Sequence, residues 1–281
     1  MYKILKKKEL TPLIYLMEVE APRIAASALP GQFLIVRCGE NGERVPLTVC
    51  DYDREKNSVA IVIQTVGHSS RKLCALNEGD FIDDFAGPLG NPAEYVALPE
   101  SELKGKRYLF VAGGLGIAPV SPQVKYLHEK GVSVDVILGA KSSDLLIMEN
   151  EIGAVADKLY ICTDDGSKGE KGLVTAVEKR LLDAGLKGEM PKYDHIVAIG
   201  PMIMMKFVTL TAREYGIPLT VSLNTIMVDG TGMCGACRVT VGGKVKFACS
   251  DGPEFNAYDV DFDEALRRLG MYKSQENVAN E

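Results

Sequence analysis

A β barrel followed by a doubly wound α/β domain, with a small cysteine-rich segment at the C-terminus, is the architecture this 281-residue sequence predicts. Three observations carry it. Short β-branched and aromatic runs, punctuated by Gly/Pro turns, fill the first hundred residues. From residue 107 onward apolar strands alternate with amphipathic helices, the pattern of right-handed βαβ units and a parallel sheet covered on both faces. Beyond residue 224 the helical period vanishes and Gly and Cys dominate. The expected divisions are 1–100, 101–222 and 223–281.

In order along the chain, strands are expected at 13–19, 32–37, 47–52 and 59–66. Pro30-Gly31, Gly39 to Gly42 and Lys56-Asn57 supply the turns between them, and one helix interrupts at 69–76. The second region reads as strand 107–112 and helix 117–130, strand 132–138 and helix 144–156, then strand 159–163 and helix 173–184. Strand 195–199, helix 201–215 and strand 219–223 complete it. The tail reads as one short helix, 264–271, and a polar end expected to be disordered.

Composition narrows the function. A net charge of -6 argues against nucleic acid, which selects basic faces, and against an anionic membrane surface. No apolar core follows the basic start MYKILKKKEL, so it does not read as a signal peptide. No run approaches the roughly 18 apolar residues of a membrane span. Cytoplasmic residence is the expectation. Cys38, Cys50, Cys74 and Cys162 lie singly in apolar runs and read as small buried hydrophobes. With three histidines (His68, His128 and His195) and no nucleophile triad, HExxH or carboxylate dyad, side-chain acid/base catalysis is not indicated.

The remaining cysteines crowd together: Asp229-Gly-Thr-Gly-Met-Cys234-Gly-Ala-Cys237, then eleven residues and Cys249. Plant-type [2Fe-2S] sites use C-x4-C-x2-C with a distant fourth Cys, and here Asp229 stands in the first place. Glycines 230, 232 and 235 let backbone wrap closely round an anionic centre and aim amides at it. Zinc, a redox dithiol or chance spacing are the competing readings.

Further motifs precede that segment in order. Arg44-Val-Pro46-Leu47-Thr48 opens a barrel strand, although Arg44 as a solvated charge is the bland alternative. Gly67-His-Ser69-Ser70 leads into a short helix whose N-terminus suits a phosphate, or which a serine simply caps. Gly87-Pro-Leu-Gly90 is a turn. Gly113-Gly114-Leu-Gly116-Ile117-Ala-Pro119 follows a strand and opens a helix, the context in which a Gly-rich turn admits a pyrophosphate. Thr163-Asp164-Asp165-Gly-Ser167 ends the third parallel strand, where carboxylates accept from a ribose hydroxyl and repel a 2′-phosphate. NAD(H) is therefore expected over NADP(H), against an ordinary Asp-Gly turn and the nearby Lys168 and Lys171. Gly200-Pro201-Met202 follows a later strand, and Asp251-Gly-Pro-Glu-Phe255 follows Cys249.

Taken together over about residues 1–270, these motifs resemble the ferredoxin reductase superfamily. Within it they are most similar to the small-subunit family of NADH-dependent reduced ferredoxin:NADP+ oxidoreductase, itself similar to dihydroorotate dehydrogenase electron-transfer subunits. The resemblance implies FAD at Arg44, Pro46, Leu47, Thr48, Ile63, Gly67, Ser69, Ser70 and Gly87. It implies NAD(H) at Gly113, Gly114, Gly116, Ile117, Pro119, Asp164, Asp165, Gly200, Pro201 and Met202. A [2Fe-2S] cluster is implied at Asp229, Cys234, Cys237 and Cys249. Ile199 departs from the pattern, since many relatives carry Cys there.

The implied partner is a large flavin/[4Fe-4S] subunit in a heterodimer, with ferredoxin and NADP(H) reached through it and electrons bifurcated there. An electron-transfer subunit of NAD-dependent dihydroorotate dehydrogenase is the alternative; Asp229 counts against it, because those relatives usually carry Cys. A zinc-stabilised, non-enzymatic adaptor is the reading of another class.

Overall fold

The computed structural model describes residues 1–40 and 42–272; the polar end expected to be disordered lies mostly outside them. Strands β1 (Tyr2–Thr11) and β2 (Ile14–Glu20) open the chain and pair antiparallel. Then follow α1 (Pro22–Ser27), β3 (Phe33–Arg37), β4 (Val45–Thr48), β5 (Asp51–Asp53), β6 (Ser58–Gln64), α2 (His68–Ala75), β7 (Phe81–Ile82) and β8 (Asp84–Leu89). They form two antiparallel sheets, β5-β6-β2-β1-β7 and β4-β3-β8. Between them lies an apolar core that includes Met17, Val19, Leu34, Val36, Ile61 and Phe85.

The second region runs α3 (Glu100–Leu103), β9 (Arg107–Gly113), α4 (Ile117–Glu129), β10 (Ser133–Ala140), α5 (Glu149–Gly153), β11 (Lys158–Thr163), β12 (Glu170–Lys171) and α6 (Val174–Leu186). It continues with β13 (His195–Ile199), α7 (Met202–Tyr215) and β14 (Leu219–Ser222). A hairpin of β15 (Arg238–Val241) and β16 (Lys244–Phe247), strand β17 (Glu254–Asn256) and helix α8 (Phe262–Leu269) end it. One sheet, ordered β12-β11-β10-β9-β13-β14-β17, is parallel throughout except that β17 joins β14 antiparallel. Barrel first and parallel sheet second, the order of layers is the one the sequence predicts.

Several expected elements change. The strand expected at 47–52 is two strands, because neighbouring residues serve different cores: Val49 points into the barrel, whereas Cys50 packs towards the α/β domain beside Met148. The helix expected at 144–156 shrinks to α5. Leu146, Ile147 and Met148 are all buried in succession, and Met148 has a left-handed backbone with φ of 58°, so a helical stripe is interrupted there. Strand β1 goes unforeseen because its lysines hide the alternation; among its ten residues only Ile4 and Thr11 are buried. Strands β7 and β8 are likewise added by pairing with distant partners, β1 and β3, while β15 and β16 pair locally across the turn at Gly242-Gly243.

Glu178 on α6 is fully buried, and neither carboxylate oxygen has a hydrogen-bond partner among the described residues. Burial pushes its pKa up from 4.5 to about 9. Between those pH values the unfolded chain releases a proton that the folded chain keeps, so stability falls as pH rises through that window. Glu178→Gln removes the penalty. We expect it to raise the thermal midpoint by several degrees at pH 8 and by little at pH 5, as scanning calorimetry would read; equal gains at both values would refute the assignment.

Candidate functional site

Where the barrel meets the carboxyl ends of the parallel strands there is a cleft of about 530 Å³. Pro46, Leu47 and Thr48 on β4 form one wall; Gly113 at the end of β9, Gly114 and Gly116 in the turn after it and Pro119 in the first turn of α4 form the other. Gly200 and Pro201, from the turn after β13, close it beside them. Ligands of open α/β sheets bind at such an edge. The glycines are dictated locally. A Cβ on Gly116 would lie 2.1 Å from the Ile199 carbonyl oxygen, so the turn can abut the end of β13 only without a side chain there; one on Gly113 would lie 2.3 Å from Met204 Sδ on α7, which would have to swing aside. Gly114 differs: its φ is +54° and nothing lies within 4 Å of where a Cβ would be. That leaves bare backbone facing open space, as a phosphate needs.

The other expected contacts divide. Arg44 is exposed just before β4. Ile63 is buried in the barrel core, and its neighbours Val62 and Gln64 face the cleft instead; the period of two in a strand would have identified them. Ile117 and Met202 are buried at the starts of α4 and α7, where they anchor the turns rather than line the cleft. Ser70 Oγ accepts from the Gly67 amide at 2.9 Å and so closes the first turn of α2, while Ser69 Oγ bonds the Glu43 carboxylate. Gly87 lies in β8 against Leu34.

Asp164 and Asp165 sit at the carboxyl end of β11 as expected, both exposed. Asp165 is engaged locally, accepting from Ser167 N at 2.9 Å and Ser167 Oγ at 2.6 Å, and these bonds hold its pKa below the ordinary carboxylate value. Among the described residues the Asp164 carboxylate has no such commitment.

Sequence reasoning missed Phe33, Thr225, Met227 and Pro253, which also line the cleft. Thr225 Oγ1 is buried with no partner among the described residues, an orphaned hydroxyl in the wall of a site suited to a polar ligand.

The cysteine-rich loop leaves the cleft directly after Met227. A Cβ on Gly230 would come within 2.8 Å of both Ile35 and Leu89, so the loop is pressed onto the barrel. Gly230, Gly232 and Gly235 have φ of 77°, 86° and 67°, a left-handed run that winds the backbone round the loop centre. Cys237 and Cys249 are buried with their sulfurs 3.2 Å apart, beyond disulfide length. Cys234 is exposed on the same loop. The Asp229 carboxylate accepts from Thr231 N at 2.9 Å and Cys234 N at 2.8 Å, bonds that lower its pKa. Among the described residues no three His, Cys, Asp or Glu side chains are drawn together tightly enough to form a metal group. The donor chemistry nevertheless fits an iron–sulfur cluster: three thiols and a carboxylate at a glycine-wound loop, with the Ala236 and Cys249 amides directed at the Cys234 and Cys237 sulfurs. Arg268 of α8 donates to the Ala236 carbonyl at 3.0 Å and buttresses it.

Residues 224–261 match the iron–sulfur cluster binding domain of dihydroorotate dehydrogenase B, and residues 110–209 match the oxidoreductase NAD-binding domain. A Thermotoga maritima protein, named as a homolog of the dihydroorotate dehydrogenase B (NAD+) electron transfer subunit, is 46% identical over 99% of this chain and 94% of its own. An uncharacterised Clostridium beijerinckii protein from the adh 3′ region is 57% identical over 99% and 93%. A solved structure of NADH-dependent reduced ferredoxin-NADP oxidoreductase superposes with a TM-score of 0.89 at 44% identity, covering 99% of this chain and 96% of that one. A Neisseria gonorrhoeae ferredoxin NADP+ reductase, at 18% identity and a TM-score of 0.58 over 76% of this chain and 90% of its own, shares the fold alone.

These findings agree with the expected cofactor set of FAD, a [2Fe-2S] cluster and NAD(H), and favour iron–sulfur over zinc. No helix among the described residues is long and apolar enough to cross a membrane. The chain is an oxidoreductase-type subunit and belongs to the ferredoxin reductase-like family of electron-transfer subunits found in dihydroorotate dehydrogenase B and in ferredoxin-NADP oxidoreductases.

Proposed function

We propose that this chain is the small subunit of an electron-bifurcating NADH-dependent reduced ferredoxin:NADP+ oxidoreductase, working as a heterodimer with a larger flavin/[4Fe-4S] subunit. Electrons released from NADPH in that subunit divide there between ferredoxin and this chain, which delivers its share to NAD+. When bound, FAD exchanges a two-electron hydride for single electrons and the [2Fe-2S] cluster carries single electrons. The division of labour follows the chain: 1–100 for flavin, 101–222 for nicotinamide nucleotide, 223–281 for the cluster.

The residues supply position and charge. The bare backbone at Gly114 and the dipole of α4 receive the nucleotide pyrophosphate, with Pro201 and Gly200 flanking it. Arg44 reaches a flavin pyrophosphate from the rim, and Thr48 hydrogen-bonds the flavin edge. Asp229, Cys234, Cys237 and Cys249 hold the cluster. Met233, 89% exposed beside Cys234, offers the partner an apolar contact at the point where electrons enter this chain. The single observation carrying the reading is the Asp-x4-Cys-x2-Cys loop packed on the barrel, next to a cleft built for a flavin and a nucleotide.

Anaerobic co-purification from the native host, with cofactor analysis of the subunit that accompanies it, tests this. NADPH-dependent ferredoxin reduction that requires NAD+ supports it. A partner carrying FMN with orotate-reducing activity would install the dihydroorotate dehydrogenase reading, which the family match at 224–261 favours. On nucleotide choice, NADH turnover is expected to exceed NADPH turnover about tenfold or more, with Asp164→Ala narrowing the gap because Asp165 is engaged by Ser167. Steady-state rates with an artificial acceptor read this directly; NADPH turnover equal to NADH in the unaltered chain would reject it.

A further inference from the structure

The parallel sheet has a second large cleft, about 630 Å³, of which the proposed electron-transfer role makes no use. It lies at the opposite edge from the cofactor cleft. Tyr108 and His195, near or at the starts of β9 and β13, form its back, and Glu94, Tyr95, Glu254 and Tyr258 complete the surround. Its volume is that of a small-molecule site.

The electrostatics are one-sided. Neither lysine nor arginine lines it. Burial pushes the pKa of His195 down to about 4, and its Nε2 lies 2.9 Å from Thr220 Oγ1, so the ring is neutral at physiological pH and brings no positive charge. Two carboxylates remain, Glu94 and Glu254.

Glu254 is held in place. Gln123, fully buried, donates to its Oε1 at 2.7 Å and itself accepts from the Tyr95 hydroxyl at 2.7 Å. Among the described residues its second oxygen, Oε2, has no partner. Burial, opposed by the Gln123 hydrogen bond and reinforced by the charge of Glu94, raises its pKa to about 7. A carboxylate fixed by one oxygen, with the other free, is ready to accept from a cation. Tyr95, Tyr108 and Tyr258 also line the cleft, and the Tyr258 ring already holds one cation, the Arg213 guanidinium 5.3 Å from its centre, so this wall accommodates positive charge.

We propose that this cleft is a binding site for a small organic cation bearing a guanidinium or ammonium group, with Glu254 as its anchor, Glu94 as a second acceptor and the tyrosine rings as walls. The site is separate from hydride and electron transfer, so its loss leaves the cofactors in place.

Agmatine, which carries both groups, is the probe, titrated calorimetrically into the cofactor-loaded full chain at pH 8, with succinate as the anionic control. Saturable agmatine binding without succinate binding is expected, weakened about tenfold or more by Glu254→Gln while flavin and iron content stay unchanged. Glu94→Gln, on the rim, should weaken it by a smaller factor, and it decides the matter if the Glu254 variant fails to fold. No agmatine binding at millimolar concentration overturns the proposal, as does equal binding of succinate or an affinity untouched by the carboxylate substitutions.

Discussion

Cys237→Ala is expected to yield a folded flavoprotein lacking its cluster. Its thiol is buried 3.2 Å from that of Cys249, at the centre of the wound loop, so no solvent-borne ligand can take its place there. Iron and acid-labile sulfide should fall from about two of each per chain to near zero, while FAD is retained. In the proposed arrangement the flavin rests against β4, whose Pro46, Leu47 and Thr48 line the cleft and lie outside the cysteine-rich loop. Asp229→Ala should lower iron content less completely. Its carboxylate braces the loop through two amides, and its removal costs that brace as well as a ligand. Asp229→Cys, which restores the common first-position ligand, separates the two roles: recovery of iron marks a ligand, whereas continued loss marks a brace. Full iron in Cys237→Ala would strike Cys237 from the ligand set, and zinc in the unaltered protein would leave the chain without a single-electron carrier.

The second large effect concerns stability. Asp135 in β10 is completely buried, receives the Arg107 guanidinium at 2.7 Å and accepts from the Tyr193 hydroxyl at 2.6 Å. It ties β10 to β9 and to the segment before β13 in the centre of the sheet. Asp135→Ala strands a largely buried guanidinium and a buried hydroxyl together, and the expected loss is about 3–5 kcal/mol. Urea unfolding should show a much lower midpoint with an unchanged slope. Tyr193→Phe, which removes one hydrogen bond but leaves the ion pair, should cost only about 1 kcal/mol. If the two variants lose equal stability, the ion pair is not what holds these strands.

Periodicity and glycine placement were strong enough to read most of the α/β domain from sequence. Strands such as β13 and helices such as α7 owe their existence to local pattern, and the turn at 113–119 declares itself because a strand, a Gly-rich turn and a helix follow one another. The barrel was less legible. Strand β1 is lysine-rich, and β7 has only two residues; both are strands because a partner lies alongside, which no local window contains. In the cleft, β4 and the glycine turn were visible as motifs, whereas Thr225, Met227 and Pro253 arrive from a segment with no regular period.

The flavin role of the strand at 44–48 came from resemblance to a family, whereas the amino-acid order alone determined two candidate parts: a glycine turn suited to a nucleotide, and Asp229, Cys234, Cys237 and Cys249 at the spacing of plant-type iron–sulfur sites. Those follow from residue type and separation, which are properties of the chain itself. Only the tertiary structure decided that β17 crosses from the cysteine-rich region to edge the nucleotide sheet, carrying Glu254 to Gln123 131 positions away. It also decided that the cysteine loop lies on the barrel, and that Ile63 turns inward while its neighbours face the cleft. Such outcomes depend on which apolar faces bury one another, and that choice is made by the whole chain at once.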